Sequence, residues 1–135
     1  MESNKLSDKA IVFLNEKRFA VLATINADGT PQLTTMWYVF DGDEIMMNTA
    51  AGRVKDANLR RDPRIAICIE DDYNYLTISG TAELIDDPDV AQADIRRLAI
   101  RYHGLAKAEQ MVRDQFSKQR RVTIRLPIER VIEKL

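Results

Sequence analysis

Residues 19–49 decide the fold, and they read FAVLATINADGTPQLTTMWYVFDGDEIMMNT. Three segments of this stretch, 19–25, 32–40 and 44–49, are rich in apolar, β-branched or aromatic residues. Turn sequences that contain Asp-Gly separate them, and glycine adopts the positive φ of a tight turn without strain. Neither side of the first segment carries a charge, so we expect it to be covered on both faces. The stretch therefore predicts a three-strand antiparallel meander.

The rest of the chain predicts three more strands and four helices. Further strands are expected at 64–69, 75–84 and 121–126, and the closing residues 128–135 are expected to form an extended tail. The last strand alternates, which predicts Val122, Ile124 and Leu126 facing inward and Arg121, Thr123 and Arg125 facing outward. Helices are expected at 6–16 with Ser7 as the cap, at 53–61, from Asp87-Pro88 to Gly104, and at 105–117.

This order of elements indicates the fold class. Six strands with short hairpin connections and inserted helices do not form a parallel βαβ sheet. Closing an antiparallel sheet into a barrel removes its exposed edges. The predicted fold class is therefore α+β: a six-stranded antiparallel β-barrel with flanking helices. The 135 residues are expected to form one domain, 1–135, because two domains would each be too small for an adequate core.

Composition excludes several classes of protein. Hydrophobic residues make up 45% and charged residues 30%, which is the balance of a globular domain and not of a disordered chain. A net charge of −1 provides no general attraction to nucleic acid. One cysteine and one histidine exclude an intrachain disulfide framework and a soft-ligand metal cluster. With no apolar run of membrane length and no signal-peptide stretch, we expect a soluble cytoplasmic protein without a membrane partner.

The sequence lacks the common catalytic constellations. There is no Ser-His-acid spacing, no Gly-x-Ser-x-Gly elbow, and no glycine-rich phosphate loop of the dinucleotide or Walker type. No catalytic side chain and no metal ligand are therefore assigned.

Residues 48–55, NTAAGRVK, are typical of an anion site at a helix start. Thr49 offers a hydroxyl, a glycine loosens the backbone, and Arg53 and Lys55 offer positive charge. Residues 53–64 hold five bases and two acids, so the local charge opposes that of the chain. The alternative is a solvated basic helix, because residues two apart in a regular helix point to different faces.

Residues 31–38, PQLTTMWY, form the second candidate feature. An uncharged strand with hydroxyls, Met and two aromatic residues is suited to lie beneath a flat ring, whose heteroatoms would meet backbone N–H and C=O groups. The alternative is an ordinary core strand. Together the two features offer a surface for a ring and a seat for a phosphate, joined by one hairpin.

The sequence resembles the pyridoxamine 5′-phosphate oxidase-like, FMN-binding split β-barrel family, and within it the branch of deazaflavin (coenzyme F420)-dependent reductases. The resemblance runs in order over nearly the whole chain. The matching stretches are FAVLAT at 19–24, DGTPQ at 28–32, MWY at 36–38, GRVK at 52–55, NLRRDPR at 58–64, ISGTA at 78–82 and RV at 130–131.

The resemblance implies a split barrel that forms a homodimer with two cofactor clefts at the subunit interface. It implies F420 as the cofactor, with FMN as the alternative. The ring-binding segment would comprise Gln32, Leu33, Thr34, Thr35 and Met36, and the phosphate site would comprise Arg53 and Lys55, with Thr49 beside them and Asn58 one helical turn beyond. The Arg-x-Lys spacing fits the deazaflavin branch. The substrate motif Arg-x-His of the oxidases is missing, because no histidine follows His103.

We therefore hypothesise a reductase that passes a hydride from reduced deazaflavin to an unidentified, conjugated organic acceptor. Trp37 and Tyr38 are candidate walls on the acceptor side. The alternatives are an FMN-dependent oxidoreductase of the same family and a non-catalytic flavin or deazaflavin carrier. A nucleic-acid binder is disfavoured by Asp56, Asp62 and the net charge.

Overall fold

The computed structural model of the chain describes residues 2–3 and 5–135. Within these residues, ten strands and four α-helices follow one another. Their bounds are β1 Glu2–Ser3, α1 Asp8–Asn15, β2 Ala20–Ile25, β3 Pro31–Met36, β4 Val39–Phe40, β5 Glu44–Ala50, α2 Val54–Arg61, β6 Arg64–Asp71, β7 Asn74–Thr81, β8 Glu83–Ile85, α3 Pro88–His103, α4 Leu105–Asp114, a 3₁₀ turn Phe116–Lys118, β9 Arg121–Pro127 and β10 Arg130–Lys134. The predicted α+β class is confirmed.

The strands form two antiparallel sheets. The larger sheet has the order β1-β10-β7-β6-β2-β3, and the smaller has the order β4-β5-β9-β8. Strand β3 therefore lies at one end of the larger sheet, and β2 is its one pairing partner among the described strands. Among the residues described, none of the helices is both long and apolar enough to cross a membrane.

The predicted number of six strands is wrong, because the chain changes sheets inside two of the predicted strands. Segment 32–40 divides at Trp37-Tyr38: β3 pairs with β2 in the larger sheet, and β4 pairs with β5 in the smaller. Segment 75–84 divides at Ala82 in the same way, into β7 and β8. A local pattern of β residues does not reveal such a crossing. The expected tail is also a strand, since β10 pairs with β7.

The main core lies where the two sheets face each other. Leu22, Ile67 and Ile78 of the larger sheet and Met47 and Ile124 of the smaller are each at most 1% exposed. Burial of one such side chain contributes about 1.5–3 kcal/mol. This shared core holds the sheets together.

A second core covers the other face of the smaller sheet. Met46 packs there with Ile95 and Leu98 of α3 and with Phe116. As a result β9 is buried on both faces, and Arg121 and Thr123 are only 5% and 0% exposed. The prediction that these two face outward is wrong, because α3 covers the side of the strand that alternation assigned to solvent.

The helix caps predicted at Ser7 and Asp87 are confirmed. The Ser7 hydroxyl accepts the Ala10 N–H at the start of α1, and the Asp87 carboxylate accepts two N–H groups at the start of α3. Helix α2 has Arg53 at its N-cap position and no side-chain cap. Its first-turn N–H groups are therefore available to an outside acceptor.

Candidate functional site

The turn from β5 into α2 is fixed by one carboxylate. Gly52 has φ +86°, a conformation that glycine adopts readily. Asp56 accepts the Gly52 N–H at 2.8 Å and the Arg60 Nε–H at 2.9 Å. These bonds hold the uncapped start of α2, and Arg53 with it, in one place beside the end of β5.

Arg53 and Lys55 are not both inside helix α2, so helical geometry does not direct their side chains to different faces. Arg53 precedes the helix in an extended conformation, with φ −69° and ψ 161°, whereas Lys55 lies in the first turn. The spacing that argued against convergence applies only within a helix. The two charges are close enough for Arg53 to contribute to the lowered pKa of Lys55.

Three cations cluster at this point. Arg53 is exposed, but Lys55 is 9% and Arg121 5% exposed. Burial, followed by repulsion from Arg53 and Arg121, lowers the pKa of Lys55 from its ordinary value. Burial, followed by repulsion from Arg53, lowers the pKa of Arg121 to about 10. With a pKa of about 10, Arg121 remains charged at neutral pH.

No carboxylate of the described chain forms an ion pair with any of these three cations. Buried charge without a partner is unfavourable, and a bound anion would remove the cost. The arrangement favours an anion site over a solvated basic helix, since Lys55 is not solvated.

Arg121 is the functional candidate that sequence reasoning missed. Its Nε donates to Asn48 Oδ1 at 2.9 Å and its Nη1 to Gln119 Oε1 at 2.7 Å. The guanidinium also lies 5.0 Å from the centre of the Phe116 ring. The signal that could have found it is the pairing of β5 with β9, which sets Arg121 opposite Ala50.

Thr49 lies on the face of β5 opposite to the face that carries Asn48. The register pairs Thr49 with Val122 and Asn48 with Thr123, and neighbouring residues of a strand point to opposite faces. Thr49 is 1% exposed, and its Oγ1 has no hydrogen-bond partner in the described chain. An unpaired buried hydroxyl costs about 1–3 kcal/mol. We therefore expect a group from outside the described chain to bond the Thr49 hydroxyl.

Asn58 is occupied by contacts within the protein. Its Nδ2 donates to Thr24 Oγ1 at 3.1 Å and to Asn26 Oδ1 at 3.0 Å, and its Oδ1 accepts a hydrogen bond from Arg61. In this arrangement Asn58 ties α2 to β2.

Strand β3 presents the predicted ring-binding segment at an open edge. Leu33 is 63% exposed, Thr35 is exposed, Gln32 and Thr34 are half-buried, and Met36 is buried. Because β2 is the one strand of the described chain that pairs with β3, the backbone groups on the other edge of β3 are free to bond a ligand or another chain.

A cleft of about 270 Å³ extends from strand β3 to Arg53 and Arg121. Thr35 and Met36 of β3 line it together with Arg53 and Arg121, while the far wall is formed by apolar side chains of α3 and α4. Gln32, Leu33 and Thr34 lie farther along β3, and Lys55, Thr49 and Asn58 do not line this cleft. The structure therefore brings together part of the predicted set.

The two aromatic residues after β3 have different surroundings. Trp37 lines the cleft, and its ring stacks on Tyr102 with 5.4 Å between centroids. Tyr38 is 0% exposed, donates its hydroxyl to the Leu14 carbonyl at 3.0 Å, and has its pKa raised to about 12 by burial. The prediction that Tyr38 forms a wall on the acceptor side is wrong, because the chain crosses between the sheets at this point and buries Tyr38 in the core.

The fold is α+β, and the cleft is lined by apolar side chains and by Arg53 and Arg121. The family model of pyridoxamine 5′-phosphate oxidase matches residues 6–134, and the chain belongs to this family. A curated relative, the F420H(2)-dependent biliverdin reductase of Mycobacterium tuberculosis, is 30% identical over 132 residues, which is 96% of this chain and 89% of the relative.

Two solved structures extend the comparison. A conserved hypothetical protein of Mycobacterium tuberculosis is 34% identical with a TM-score of 0.80, and the match covers 96% of this chain and 84% of that one. An F420 reductase is 26% identical with a TM-score of 0.76, and the match covers 94% of this chain and 98% of that one. The relatives therefore share the fold over nearly its full length.

Proposed function

We propose that the protein is an F420-dependent oxidoreductase that transfers a hydride from reduced deazaflavin to a small organic acceptor. The observation that carries the proposal is the cluster of Arg53, Lys55 and Arg121, whose charges no carboxylate of the described chain neutralises, beside a cleft that reaches β3. The similarity to a biliverdin reductase and an F420 reductase, both named for this cofactor, supports it.

The residues present fit such a cofactor. Arg53 and Lys55 would bind a phosphoryl group, which the uncapped N–H groups of α2 would also face. Thr49 would be a further donor near the end of β5, from the face opposite Asn48, because its Oγ1 has no hydrogen-bond partner among the described residues. Gln32 to Met36 would support the ring through the free backbone edge of β3, and Asn58 would hold α2 in position.

Hydride chemistry asks for orientation more than for an acid or base. When bound, F420 supplies the hydride, and the protein holds donor and acceptor within about 3–3.5 Å of each other. The backbone of β3 would orient the ring. Apolar side chains such as Leu98 and Phe116 line the cleft and would limit the access of water. No side chain is required to change its protonation state.

The proposal includes a split barrel that pairs with a second copy of itself. Val21, Leu33 and Cys68 lie on the outer face of the larger sheet, where register places Val21 opposite Cys68. Val21 and Leu33 are 39% and 63% exposed. A second copy packed on this apolar part of the face would cover these side chains and close the open side of β3. A cytoplasmic location, expected from the sequence, is also part of the proposal.

Equilibrium titrations of F420 and FMN against the purified protein test the proposal. We expect F420 to bind more tightly than FMN, and Arg53→Met to weaken its binding about tenfold or more through loss of a charge-assisted hydrogen bond. Arg120→Met is the matched control, because Arg120 is exposed and its loss changes the net charge equally. Tighter binding of FMN would favour the FMN-dependent alternative, and binding of neither would overturn both.

Turnover separates an enzyme from a carrier. Reduced F420 is incubated with the protein and a panel of conjugated organic acceptors, and its oxidation is followed spectroscopically. We expect protein-dependent oxidation with at least one acceptor. Tight binding without oxidation by any acceptor would favour the carrier.

A further inference from the structure

Arg121 differs from most arginines of this chain in its partners. Seven of the described arginines lie beside a carboxylate: Arg18, Arg60, Arg64, Arg96, Arg97, Arg113 and Arg125. Arg121 is more buried than any of them, yet the side chains that it bonds, Asn48 and Gln119, are neutral amides. These amides orient the guanidinium without neutralising it.

The orientation leaves part of the guanidinium available. The Nε and Nη1 atoms of Arg121 are bonded, whereas Nη2 makes no hydrogen bond within the described residues. Arg121 lines the same cleft as Arg53, and the two repel each other. A guanidinium held in this way is suited to bind an oxyanion, since its planar N–H groups are pre-oriented.

We infer that Arg121 binds an anion together with Arg53 and Lys55, and that the ligand presents at least two negative charges to these three cations. A single negative charge would leave two of the three cations unneutralised. A doubly charged phosphoryl group, or two neighbouring carboxylates, meets the requirement. The inference deepens the proposed function by adding a residue to the same cleft, but it does not require the ligand to be F420.

A purely structural role is the competing explanation. Asn48 Nδ2 donates to the Ala91 carbonyl of α3, and Gln92 donates to the Gln119 carbonyl, so Arg121 belongs to a network that attaches α3. Such a role predicts lower stability when Arg121 is replaced. It does not predict a change in how strongly an anion stabilises the protein.

Thermal unfolding with inorganic phosphate, succinate or chloride at constant ionic strength separates the two roles. A ligand that binds the native state raises its stability in proportion to its affinity. We expect phosphate or succinate, but not chloride, to raise the Tm of the wild-type protein and of Arg120→Met. Arg121→Met should bind that anion about tenfold or more weakly. Phosphate alone points to a phosphoryl group, and succinate alone points to paired carboxylates.

Two more variants keep the test decisive if Arg121→Met does not fold. Arg121→Lys retains the positive charge. Arg121→Gln lacks the positive charge but retains an N–H donor toward Asn48. We expect tighter anion binding by the Lys variant than by the Gln variant. Equal binding by the two, unchanged binding by Arg121→Met, or no anion-specific stabilisation of the wild-type protein would overturn the inference.

Titration with F420 and FMN distinguishes this failure from failure of the proposed function. Wild-type protein that binds phosphate through Arg121 but binds neither cofactor contradicts the proposed function and supports the inference. Tight F420 binding that is equal in the wild-type protein and Arg121→Met, with unchanged phosphate and succinate binding in that variant, supports the proposed function and overturns the inference.

Discussion

The carboxylate of Asp56 accepts the backbone N–H of Gly52, four residues earlier, at 2.8 Å. Asp56 is 4% exposed, and its carboxylate also accepts a hydrogen bond from Arg60. It therefore links the turn after β5 to the body of α2. Arg53 lies inside the loop that this bond closes. The position of the candidate anion site therefore depends on a residue that does not face a ligand.

Replacement of Asp56 by Ala should lower stability and weaken ligand binding together. Loss of the acceptor leaves the Gly52 N–H without its partner, and Arg60 keeps only its pair with Asp86. We expect the free energy of unfolding to fall by about 1–3 kcal/mol. Urea unfolding measures this change. Asp62→Ala is the control, since the exposed Arg64 is the one ion-pair partner of Asp62 in the part of the chain that the structure describes. Equal losses in the two variants would contradict a special role for Asp56.

Replacement of Lys55 by Met should stabilise the protein when no anion is present. Lys55 is buried and makes no ion pair in the described chain, so its charge is a cost that the apolar side chain avoids. We expect a gain of about 1 kcal/mol or more in the free energy of unfolding, with weaker stabilisation by phosphate. Lys107→Met, on the exposed side of α4, should change neither quantity. A less stable Lys55→Met protein would argue against an uncompensated charge.

The stability difference between Lys55→Met and wild type should depend on pH. The pKa of Lys55 is lower in the folded state than its ordinary value of 10.5. Between these two values the unfolded chain retains a proton that the folded protein has released, so wild-type stability rises with pH there. The advantage of the Met variant should shrink as pH approaches 10.5. Chemical unfolding of both proteins from pH 7 to 10.5 measures it, and a constant difference would be the contrary result.

Replacement of Gly52 by Ala tests the turn through its backbone. At φ +86° an alanine is strained, and a Cβ there would meet nothing within 4 Å, so strain alone should cost about 1–2 kcal/mol. Gly42→Ala, at φ +77° with equally open surroundings, should cost a similar amount. Only Gly52→Ala should weaken stabilisation by phosphate, as measured by thermal unfolding. Equal stabilisation of the two variants by phosphate would contradict the idea that the Gly52 turn positions the anion site.

Replacement of Val21 by Asp tests the proposed homodimer. A charge on the outer face of the larger sheet should prevent association, because it would be buried without a partner. Val12→Asp makes the same chemical change on α1 at a residue that is 64% exposed, and it should leave the assembly intact. Sedimentation velocity should show a dimer for the wild-type and Val12→Asp proteins and a monomer for Val21→Asp. A monomeric wild-type protein would refute the dimer outright.

Local signals predicted the parts of the fold that depend on neighbours in sequence. The caps at Ser7 and Asp87 and the turns around Gly29 and Gly42 require only a few residues and their backbone preferences. The proximity of Arg53 to Lys55 was also visible as a motif. These features follow from chemistry within one turn or one helix start.

The remaining features depend on contacts between distant segments. Arg121 joins the cluster because β9 pairs with β5, about 70 residues earlier, and because α3 covers a face that alternation left to solvent. Tyr38 is buried because the chain changes sheets there. Thr49 and Asn48 are adjacent in sequence but face different cores. No periodicity within a single strand contains this information.

The most direct test of the central claim is a crystal structure of the protein with F420 bound. The account predicts phosphoryl oxygens within about 2.7–3.2 Å of donor nitrogens of Arg53 and Lys55, with the ring along residues 32–36. It also predicts an anionic oxygen at Arg121. A phosphoryl group bound away from all three cations, with the cleft beside β3 filled by solvent, would contradict it.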